Sequence, residues 1–326
     1  MAYLPLLLCS ALIFDRAAAV LTTHDKRSQK YWSSWEDINY FFTFGDSYTT
    51  TDFNVTGTQP NPSNPLGNPD YPGYTSSNGP NWVDFLTTTY NKSYVQTYNF
   101  AYGGATVDSS LVAQYLPTVL DLEQQVDDEF LVYYTNSTSV NWTASNSLFS
   151  IFIGINDVGN SYSSQNSTLN GLIFEAYSHL VDELYEAGAR NFLFLNVPPV
   201  DRSPLTIAQG TSAQTIEAAD IADFNAKITN LTSSLEKTHL DATVFLFNTH
   251  EIFTQVLDDP TSYPQTELYK NTTDYCTAYE DGTDEWDSYD AACGIPVNEY
   301  FWLNNLHPTY PMHNATAAQI IELLEG

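Results

Sequence analysis

Short runs of apolar residues recur along this chain and alternate with longer segments of helical periodicity. Runs of four to seven residues bounded by turn formers are typical of strands buried on both faces. They predict five strands, over residues 41–44, 95–101, 149–153, 191–197 and 242–247. Apolar residues three and four positions apart predict four helices, over residues 81–90, 114–134, 169–187 and 213–237.

The order of these elements predicts the fold class. Continuously apolar strands alternating with helices favour a parallel sheet covered on both faces, so we predict a three-layer α/β/α sandwich with a central parallel sheet of about five strands. Residues 56–80 are dense in proline, glycine, asparagine and serine and predict a long ordered loop. Because no linker, repeat or low-complexity tract divides residues 28–326, we predict a single domain there.

The first residues have the pattern of a secretory signal. Residues 6–14 are largely apolar but too few to span a bilayer, and small residues follow at 17–19, which predicts a signal peptide over residues 1–19. The dibasic pair Lys26 and Arg27 predicts a pro-segment over residues 20–27, although such a pair is equally typical of a solvated patch. We therefore predict a secreted, extracellular protein.

Glycosylation sequons and cysteines agree with secretion. Eight Asn-x-Ser/Thr triplets predict N-glycosylation, at Asn54, Asn91, Asn136, Asn141, Asn166, Asn230, Asn271 and Asn314. Cys9 leaves with the signal, so Cys276 and Cys293 remain, and an even pair in an oxidising compartment predicts one disulfide. A metal site is the weaker interpretation, because two thiols without a nearby Cys or His pair do not complete a shell.

Composition limits the partners. The 326 residues include 10 lysines and arginines against 39 aspartates and glutamates, a formal net charge of −29. Such a surface repels nucleic acid and anionic membranes, so we predict neither as a stable partner. A neutral small-molecule or oligosaccharide substrate, no metal, no cofactor and a monomeric state are the corresponding predictions.

Candidate chemistry lies where predicted strands end. Ser47, Gly104 and Asn156 each follow a strand, and parallel sheets place their sites at the carboxyl ends of strands. A fourth candidate, His307, lies near the C-terminus. Ser47 can attack an acyl carbon and His307 can accept its proton, while the backbone N–H groups of Ser47 and Gly104 and the amide of Asn156 can donate to an oxyanion. These residue types predict acyl transfer.

Four sequence blocks carry a family resemblance. In chain order they are FGDSY (44–48), NFAYGGA (99–105), GIND (154–157) and LHPT (306–309). Together they resemble the SGNH hydrolases of the GDSL esterase/lipase family, with the closest similarity to the acetyl esterases of carbohydrate esterase family sixteen. The resemblance covers essentially all of residues 28–326 and implies a flavodoxin-like SGNH fold.

The resemblance also implies roles for single residues. Ser47 would be the nucleophile, His307 the general base, and Gly104 with Asn156 the oxyanion donors. Gly103 is an alternative donor to Gly104, and His313 is an alternative base. The other histidines, His179, His239 and His250, lie in or beside apolar element patterns and are interpreted as structural or surface residues.

One residue departs from the family pattern. The family has an aspartate three residues before the histidine, where this chain has Asn304. Such a carboxylate fixes the histidine tautomer and stabilises the imidazolium. Three explanations are open: a working Ser-His dyad with Asn304 accepting from the ring, a carboxylate supplied by Glu299 or Asp157, or a weakened enzyme. We favour a functioning enzyme, since the other blocks are intact.

The predicted function is a secreted serine esterase that removes acetyl or other short acyl groups from carbohydrate esters. Tyr48, Trp82 and Trp302 are candidates for stacking on sugar. The acidic stretch 280–290 lacks the spacing of a calcium loop and is interpreted as a solvated loop. The alternatives are a lipase or phospholipase acting on acyl lipids, and a weakly active glycan-binding protein on a hydrolase scaffold.

Overall fold

The computed structural model describes residues 31–135 and 138–326. The predicted signal peptide, the predicted pro-segment and the sequon at Asn136 lie outside the described residues. A search of the described helices finds none that is long and apolar enough to cross a membrane.

A parallel five-stranded sheet forms the centre of the fold, as predicted. Its order is β2-β1-β3-β4-β5, and every neighbouring pair is parallel. Strand β1 therefore lies between β2 and β3, and the three strand ends that carry candidate residues are adjacent. The strands are β1 (Tyr40–Gly45), β2 (Gln96–Asn99), β3 (Ser147–Phe152), β4 (Asn191–Leu195) and β5 (Thr243–Phe247).

Helices cover both faces of this sheet. The described helices are α1 (Trp82–Thr88), α2 (Leu122–Gln124), a π-helical segment (Gln125–Phe130), α3 (Leu131–Tyr134), α4 (Ile155–Ser161), α5 (Leu169–Glu186), α6 (Pro204–Ile207), α7 (Thr211–Thr238), α8 (Thr249–Asp258) and α9 (Tyr310–Glu325). Short 3₁₀ turns connect several of them.

The alternation of side chains along β1 shows why there are three layers. Phe41 points to one face and contacts Trp82 of α1 edge to face, with ring centroids 6.1 Å apart. Phe42 points to the other face, where it contacts Phe130 at 5.2 Å and stacks on Phe149 at 4.9 Å. Because successive residues of a strand face opposite sides, an all-apolar β1 fills two cores at once. The predicted three-layer sandwich is confirmed.

The predicted helix over residues 114–134 begins eight residues late. Asp121 caps the helix: its carboxylate accepts from Gln124 N–H at 3.0 Å, and the Gln124 side chain accepts from Asp121 N–H at 3.4 Å. This reciprocal capping box starts the helix at Leu122. Residues before it form turns, in which Tyr115 N–H donates to Gly104 O at 3.0 Å. A local cap and a tertiary contact thus override the apolar periodicity.

Candidate active site

The end of β1 is held by a glycine and a glutamine. Gly45 has a φ of +153°, and a Cβ there would lie 2.2 Å from the carbonyl oxygen of Phe152, so only glycine fits. The Gln125 amide donates to Gly45 O at 2.9 Å and accepts from Gly45 N–H at 2.9 Å. Gln125 lies in the π-helical segment, a geometry that is frequent at functional sites. The backbone that leads to Ser47 is therefore fixed on both of its polar groups.

Asp46 and two asparagines fix the loop around Ser47. Asp46 is fully buried, its carboxylate accepts from Tyr48 N–H at 3.0 Å, and burial raises its pKa to about 7. The amide groups of Asn81 and Asn99 both donate to Thr49 O at 2.7 Å. These bonds pair backbone groups of the loop and hold it in place, and Ser47 occupies its first turn with 8% of its surface exposed.

His307 is in hydrogen-bonding contact with Ser47. Its Nε2 lies 2.8 Å from Ser47 Oγ, and its Nδ1 lies 3.0 Å from Asn304 Oδ1. Burial lowers the pKa of His307 to about 4, so the ring is neutral at neutral pH. A neutral imidazole whose Nδ1–H is accepted by Asn304 presents the lone pair of Nε2 to the serine, as a general base requires.

The orientation of the Asn304 amide follows from its neighbours. Asn304 Oδ1 also accepts from the backbone N–H of Leu306 at 3.0 Å and of His307 at 2.9 Å. Two fixed N–H donors require an acceptor, so the oxygen of the amide faces them and the ring, and its NH₂ group points away. Asn304 thus supplies the geometry of the family's aspartate without its charge.

The other candidates for supporting or replacing the base lie elsewhere. Glu299 forms an ion pair with Lys270 at 2.6 Å, and Asp157 accepts from Val107 N–H at 3.1 and 3.3 Å. Within the described residues, neither carboxylate has a hydrogen bond to His307. His313, the alternative base, is buried in α9, and burial, followed by nearby His307, lowers its pKa to about 3.

The predicted oxyanion donors Gly104 and Asn156 lie close to each other, since Asn156 contacts the residue that follows Gly104. Asn156 lies in the first turn of α4, and its Nδ2 donates to Ala105 O at 2.8 Å, which leaves its second N–H for another acceptor. Gly104 has a φ of +85°, and a Cβ there would lie 2.3 Å from the Cβ of Tyr115. In the described chain, no hydrogen bond uses the backbone N–H of Ser47, Gly103 or Gly104. Both glycines therefore stay candidates, and Gly103 borders the Ser47 side chain, with a Cβ position 3.9 Å from Ser47 Cβ.

The prediction that Tyr48, Trp82 and Trp302 contact substrate is wrong in this structure. Their side chains are 1%, 0% and 1% exposed, so none has a ring face available for a sugar. Each instead holds backbone or loop atoms in place. Tyr48 OH donates to Leu306 O at 2.7 Å beside the His307 ring, Trp82 Nε1 to Thr49 Oγ1 at 3.2 Å, and Trp302 Nε1 to Thr272 O at 3.1 Å.

A cavity of about 570 Å³ opens beside His307, and its lining includes two exposed aromatic rings that the sequence analysis does not identify as candidates. Asn304 and His307 line it, together with parts of residues 72–79 and 280–286. Tyr74 and Trp286 in its lining are 72% and 41% exposed. The signal was present in the sequence, since Tyr74 lies in the predicted long loop and Trp286 in the acidic stretch that was interpreted as solvated.

The predicted disulfide joins Cys276 to Cys293 and brackets that acidic stretch. Five of the sequon asparagines, Asn54, Asn91, Asn141, Asn166 and Asn230, are exposed, while Asn271 and Asn314 are partly buried. Asn314 Oδ1 accepts from Tyr90 OH at 2.7 Å. Glycosylation at all of these positions stays a prediction.

In the described chain, no group of three or more His, Cys, Asp and Glu side chains is placed to hold a metal ion.

Comparisons with known proteins cover most of the chain. A family model described as GDSL-like Lipase/Acylhydrolase matches residues 41–320, which include Ser47, Gly104, Asn156 and His307. An acetylesterase of Thermothelomyces thermophilus is 41% identical over 292 residues, 88% of each protein. A thermolabile hemolysin of Vibrio parahaemolyticus is 25% identical over 301 residues, 88% of this chain and 64% of that protein. A solved acetylxylan esterase from Geobacillus stearothermophilus aligns over 88% of this chain and 94% of its own, with a TM-score of 0.48 and 13% identity.

Proposed function

The chain belongs to the GDSL-like lipase and acylhydrolase family and is a carboxylic ester hydrolase, and within that family we propose that it removes acetyl or other short acyl groups from carbohydrate esters. The observation that carries the proposal is the 2.8 Å contact between Ser47 Oγ and His307 Nε2. The similarity to an acetylesterase supports a short acyl group. The exposed Tyr74 and Trp286 beside the base support a carbohydrate as the alcohol part.

The first half of the proposed reaction forms an acyl-enzyme. Ser47 Oγ attacks the ester carbonyl carbon while its proton passes to His307 Nε2. The carbonyl oxygen becomes an oxyanion, which accepts from the free N–H of Asn156 and from the backbone N–H of Ser47 and Gly104. Collapse of this intermediate breaks the bond to the alcohol oxygen, which takes the proton from His307 and leaves.

The second half releases the acid. His307, neutral again, removes a proton from water, and the water oxygen attacks the acyl carbon held on Ser47. The same donors stabilise the second oxyanion, and Ser47 Oγ recovers its proton as the carboxylic acid departs. Asn304 holds the ring tautomer through both halves, but its neutral amide stabilises the transient imidazolium less than a carboxylate would.

The proposed function is tested by comparing 4-nitrophenyl acetate with 4-nitrophenyl octanoate for the wild type and Ser47→Ala. We expect a higher kcat/KM for the acetate and a loss of kcat of at least about a thousandfold in Ser47→Ala. Ser145→Ala, an exposed serine before the amino end of β3, is the matched control and should leave kcat unchanged. Hydrolysis that survives in Ser47→Ala would refute the mechanism, and a preference for octanoate would favour a lipase.

Secretion is part of the same proposal. The apolar run over residues 6–14, the small residues at 17–19 and five exposed sequon asparagines support export into a glycosylating pathway. Treatment of the secreted protein with an endoglycosidase should lower its apparent mass. N-terminal sequencing of that protein should begin at or after residue 20. A secreted chain that begins at Met1 would contradict this part.

A further inference from the structure

Two loops of distant sequence form the walls of the cavity beside His307. We call this cavity, with its walls at residues 72–79 and 280–286, the His307 cleft. Asn304 and His307 line it, whereas Asn156 and Gly104 do not. In ester hydrolysis the base returns its proton to the leaving alcohol, while the oxyanion donors contact the carbonyl oxygen. Ser47 does not line the cleft either, so the cleft lies on the side of the proposed base, from which the leaving alcohol takes its proton.

Hydrogen bonds between the two loops hold the walls of the His307 cleft together. Asn78 Nδ2 donates to Thr283 Oγ1 at 2.9 Å, and Thr283 N–H donates to Asn78 Oδ1 at 2.7 Å. Asn78 has a φ of +55°, a left-handed conformation that asparagine tolerates well. The disulfide between Cys276 and Cys293 closes the second loop from outside the cleft. A cleft shaped before binding loses less conformational entropy when a ligand enters.

Each wall of the His307 cleft presents an exposed aromatic ring. Tyr74 comes from the first loop and Trp286 from the second, and both are well exposed although most aromatic residues here are buried. The Trp286 ring contacts the Tyr310 ring, with centroids 5.8 Å apart. An aromatic ring combines an apolar face with a polar edge, which suits the alternating C–H faces and hydroxyl edges of a sugar ring.

Charge adds a second constraint on the ligand of the His307 cleft. Glu280, Asp281 and Asp284 line it and are exposed, and no lysine or arginine is among its described lining residues. These carboxylates repel an ester that carries a negative charge, and they act on a neutral one only through hydrogen bonds. The negative charge of the walls therefore favours esters of neutral alcohols over esters of acidic alcohols.

We propose that the His307 cleft binds the alcohol part of the ester as a neutral sugar ring, packed against Tyr74 and Trp286, and that its carboxylates select against acidic sugars. This inference rests on the proposed esterase function and extends it from the reaction to the choice of substrate. Tyr74 and Trp286 contact the sugar and not the acyl group, so they contribute to specificity for the alcohol alone.

The test compares two acetyl esters that differ only in the alcohol, monoacetylated xylobiose and ethyl acetate. We expect Trp286→Ala and Tyr74→Ala each to lower kcat/KM for acetylated xylobiose about tenfold, mainly through KM, and to change that for ethyl acetate less than about twofold. Tyr289→Ala is the matched control: Tyr289 is 63% exposed on the same disulfide-bracketed loop but does not line the cleft. It should change neither value.

A second arm tests the charge. The double variant Asp281→Asn/Asp284→Asn should raise kcat/KM for acetylated methyl glucuronide about threefold or more at low salt, and the gain should shrink at high salt as charges are screened. Asp287→Asn, an exposed carboxylate of the same loop outside the cleft lining, is the control. An unchanged value for the acidic ester would overturn the selection by charge.

The failure of this inference is distinguishable from failure of the proposed function. If the wild type hydrolyses acetylated xylobiose in a Ser47-dependent manner and both aromatic variants retain its kcat/KM, the sugar site is wrong and the esterase function stands. If Ser47-dependent hydrolysis of both esters is absent, the proposed function fails and the inference fails with it. Equal losses on ethyl acetate and xylobiose would assign the two rings a structural role and overturn the sugar site.

Discussion

Asn304 contacts His307, the proposed base, through a single oxygen atom that accepts from three donors. The two backbone donors are part of the same short turn, so the oxygen faces the imidazole whatever the protonation state of the ring. In a serine protease, an asparagine in the corresponding place costs about ten-thousandfold in kcat because it stabilises the wrong tautomer. Here the turn itself orients the amide, and that source of the loss is removed.

The absence of charge at Asn304 should appear in the pH profile. Burial lowers the pKa of His307 to about 4, so the proposed base stays neutral and kcat/KM should hold down to about pH 4. In Asn304→Asp, a nearby negative charge favours the imidazolium and raises that pKa. We expect the acid limb of the kcat/KM profile to move to higher pH.

The same variant measures how well the site is adapted to asparagine. At pH 7 we expect Asn304→Asp to raise kcat/KM by less than roughly a hundredfold, which corresponds to about 2.7 kcal/mol. Asn305→Asp adds the same charge at the exposed neighbouring residue and should leave the acid limb in place. A larger gain, or an acid limb that does not move in Asn304→Asp, would contradict this account of the residue.

The sequence predicts the candidate catalytic residues, because each has a specific chemical role, but it does not predict which aromatic residues are exposed to a ligand. Ser47 and Asn156 follow strands whose ends are predictable, whereas His307 is identified through its sequence block near the C-terminus; the structure places His307 Nε2 2.8 Å from Ser47 Oγ. The prediction that Tyr48, Trp82 and Trp302 contact substrate fails because an aromatic residue near a motif can also be buried. Tyr48, for example, is buried and donates to Leu306 O. Exposure, which separates Trp286 from Trp302, is decided by distant loops that periodicity does not describe.

At the scale of elements, the π-helical segment matters because it places Gln125 against the end of β1. Replacing Gln125 with leucine leaves the buried Gly45 N–H without its partner and removes the hydrogen bonds from the Gln125 amide to Gly45 O and Leu120 O, although Gly45 O still accepts from Tyr102 N–H at 3.1 Å. We expect Gln125→Leu to lower the free energy of unfolding by about 2 kcal/mol, because a buried unpaired polar group costs about 1–3 kcal/mol. The measurement is urea denaturation followed by tryptophan fluorescence.

Gln319→Leu in α9 is the control for Gln125, since its partly exposed side chain makes no hydrogen bond in the described chain. It should change the unfolding free energy by no more than about 0.5 kcal/mol. Equal effects of the two substitutions would show that the contacts to Gly45 do not stabilise the strand end.

Replacing glycine by alanine at two positions should change the stability of the protein in opposite directions. Gly45→Ala places a methyl group 2.2 Å from Phe152 O in a backbone conformation that side chains rarely adopt, so we expect a loss of more than about 3 kcal/mol or no folded protein. Gly171→Ala, inside α5 with no atom within 4 Å of the new methyl, should stabilise by about 0.5–1 kcal/mol. Thermal unfolding distinguishes them, and a tolerated Gly45→Ala would contradict the packing at β1.

The elements that the sequence predicted well are those whose pattern and boundary agree. Helix α5 was expected over residues 169–187 and spans Leu169–Glu186, because its apolar spacing stops at the Gly188 turn. The predicted helix over residues 114–134 has the wrong start, because the cap at Asp121 and the contact of Tyr115 with Gly104 are not visible as periodicity. The hydrogen bonds of Gln125 to Gly45 are tertiary contacts, and no local sequence pattern predicts them.

For the molecule as a whole, buried carboxylates should make stability depend on pH. Burial raises the pKa of four groups to about 7, namely Asp46, Glu129, Asp157 and Glu217. In the unfolded chain these groups stay ionised down to about pH 4, so between pH 7 and 4 the folded state binds more protons. Their contribution to the free energy of unfolding therefore rises as pH falls through that window.

Two histidines oppose this trend over part of the same window. The pKa values of His307 and His313 are lowered by burial to about 4 and 3, so their contribution to stability is lost as pH falls below about 6.5. Four carboxylates outnumber two histidines, and the excess of acidic groups also loses repulsion in acid. We expect a higher urea midpoint at pH 5 than at pH 8.

Asp46→Asn is the informative variant for this prediction. It removes one buried carboxylate without changing its size, and it should reduce the difference between the urea midpoints at the two pH values. Asp287→Asn, at an exposed position, should leave that difference as it is. A wild-type midpoint that is higher at pH 8 would refute the dominance of the buried carboxylates.

Asn304 and His307 lie in one turn, which is closed by Leu303 N–H donating to His307 O at 2.8 Å and flanked by a bridge between Trp302 and Pro308. Any displacement of the turn therefore moves His307, the proposed base, together with Asn304, while Ser47 stays at the end of β1. Residues 302–308 therefore form a segment that carries His307 and Asn304 in a fixed mutual geometry. If this segment were grafted onto another protein with a serine at a strand end, only its position relative to that serine would have to be designed.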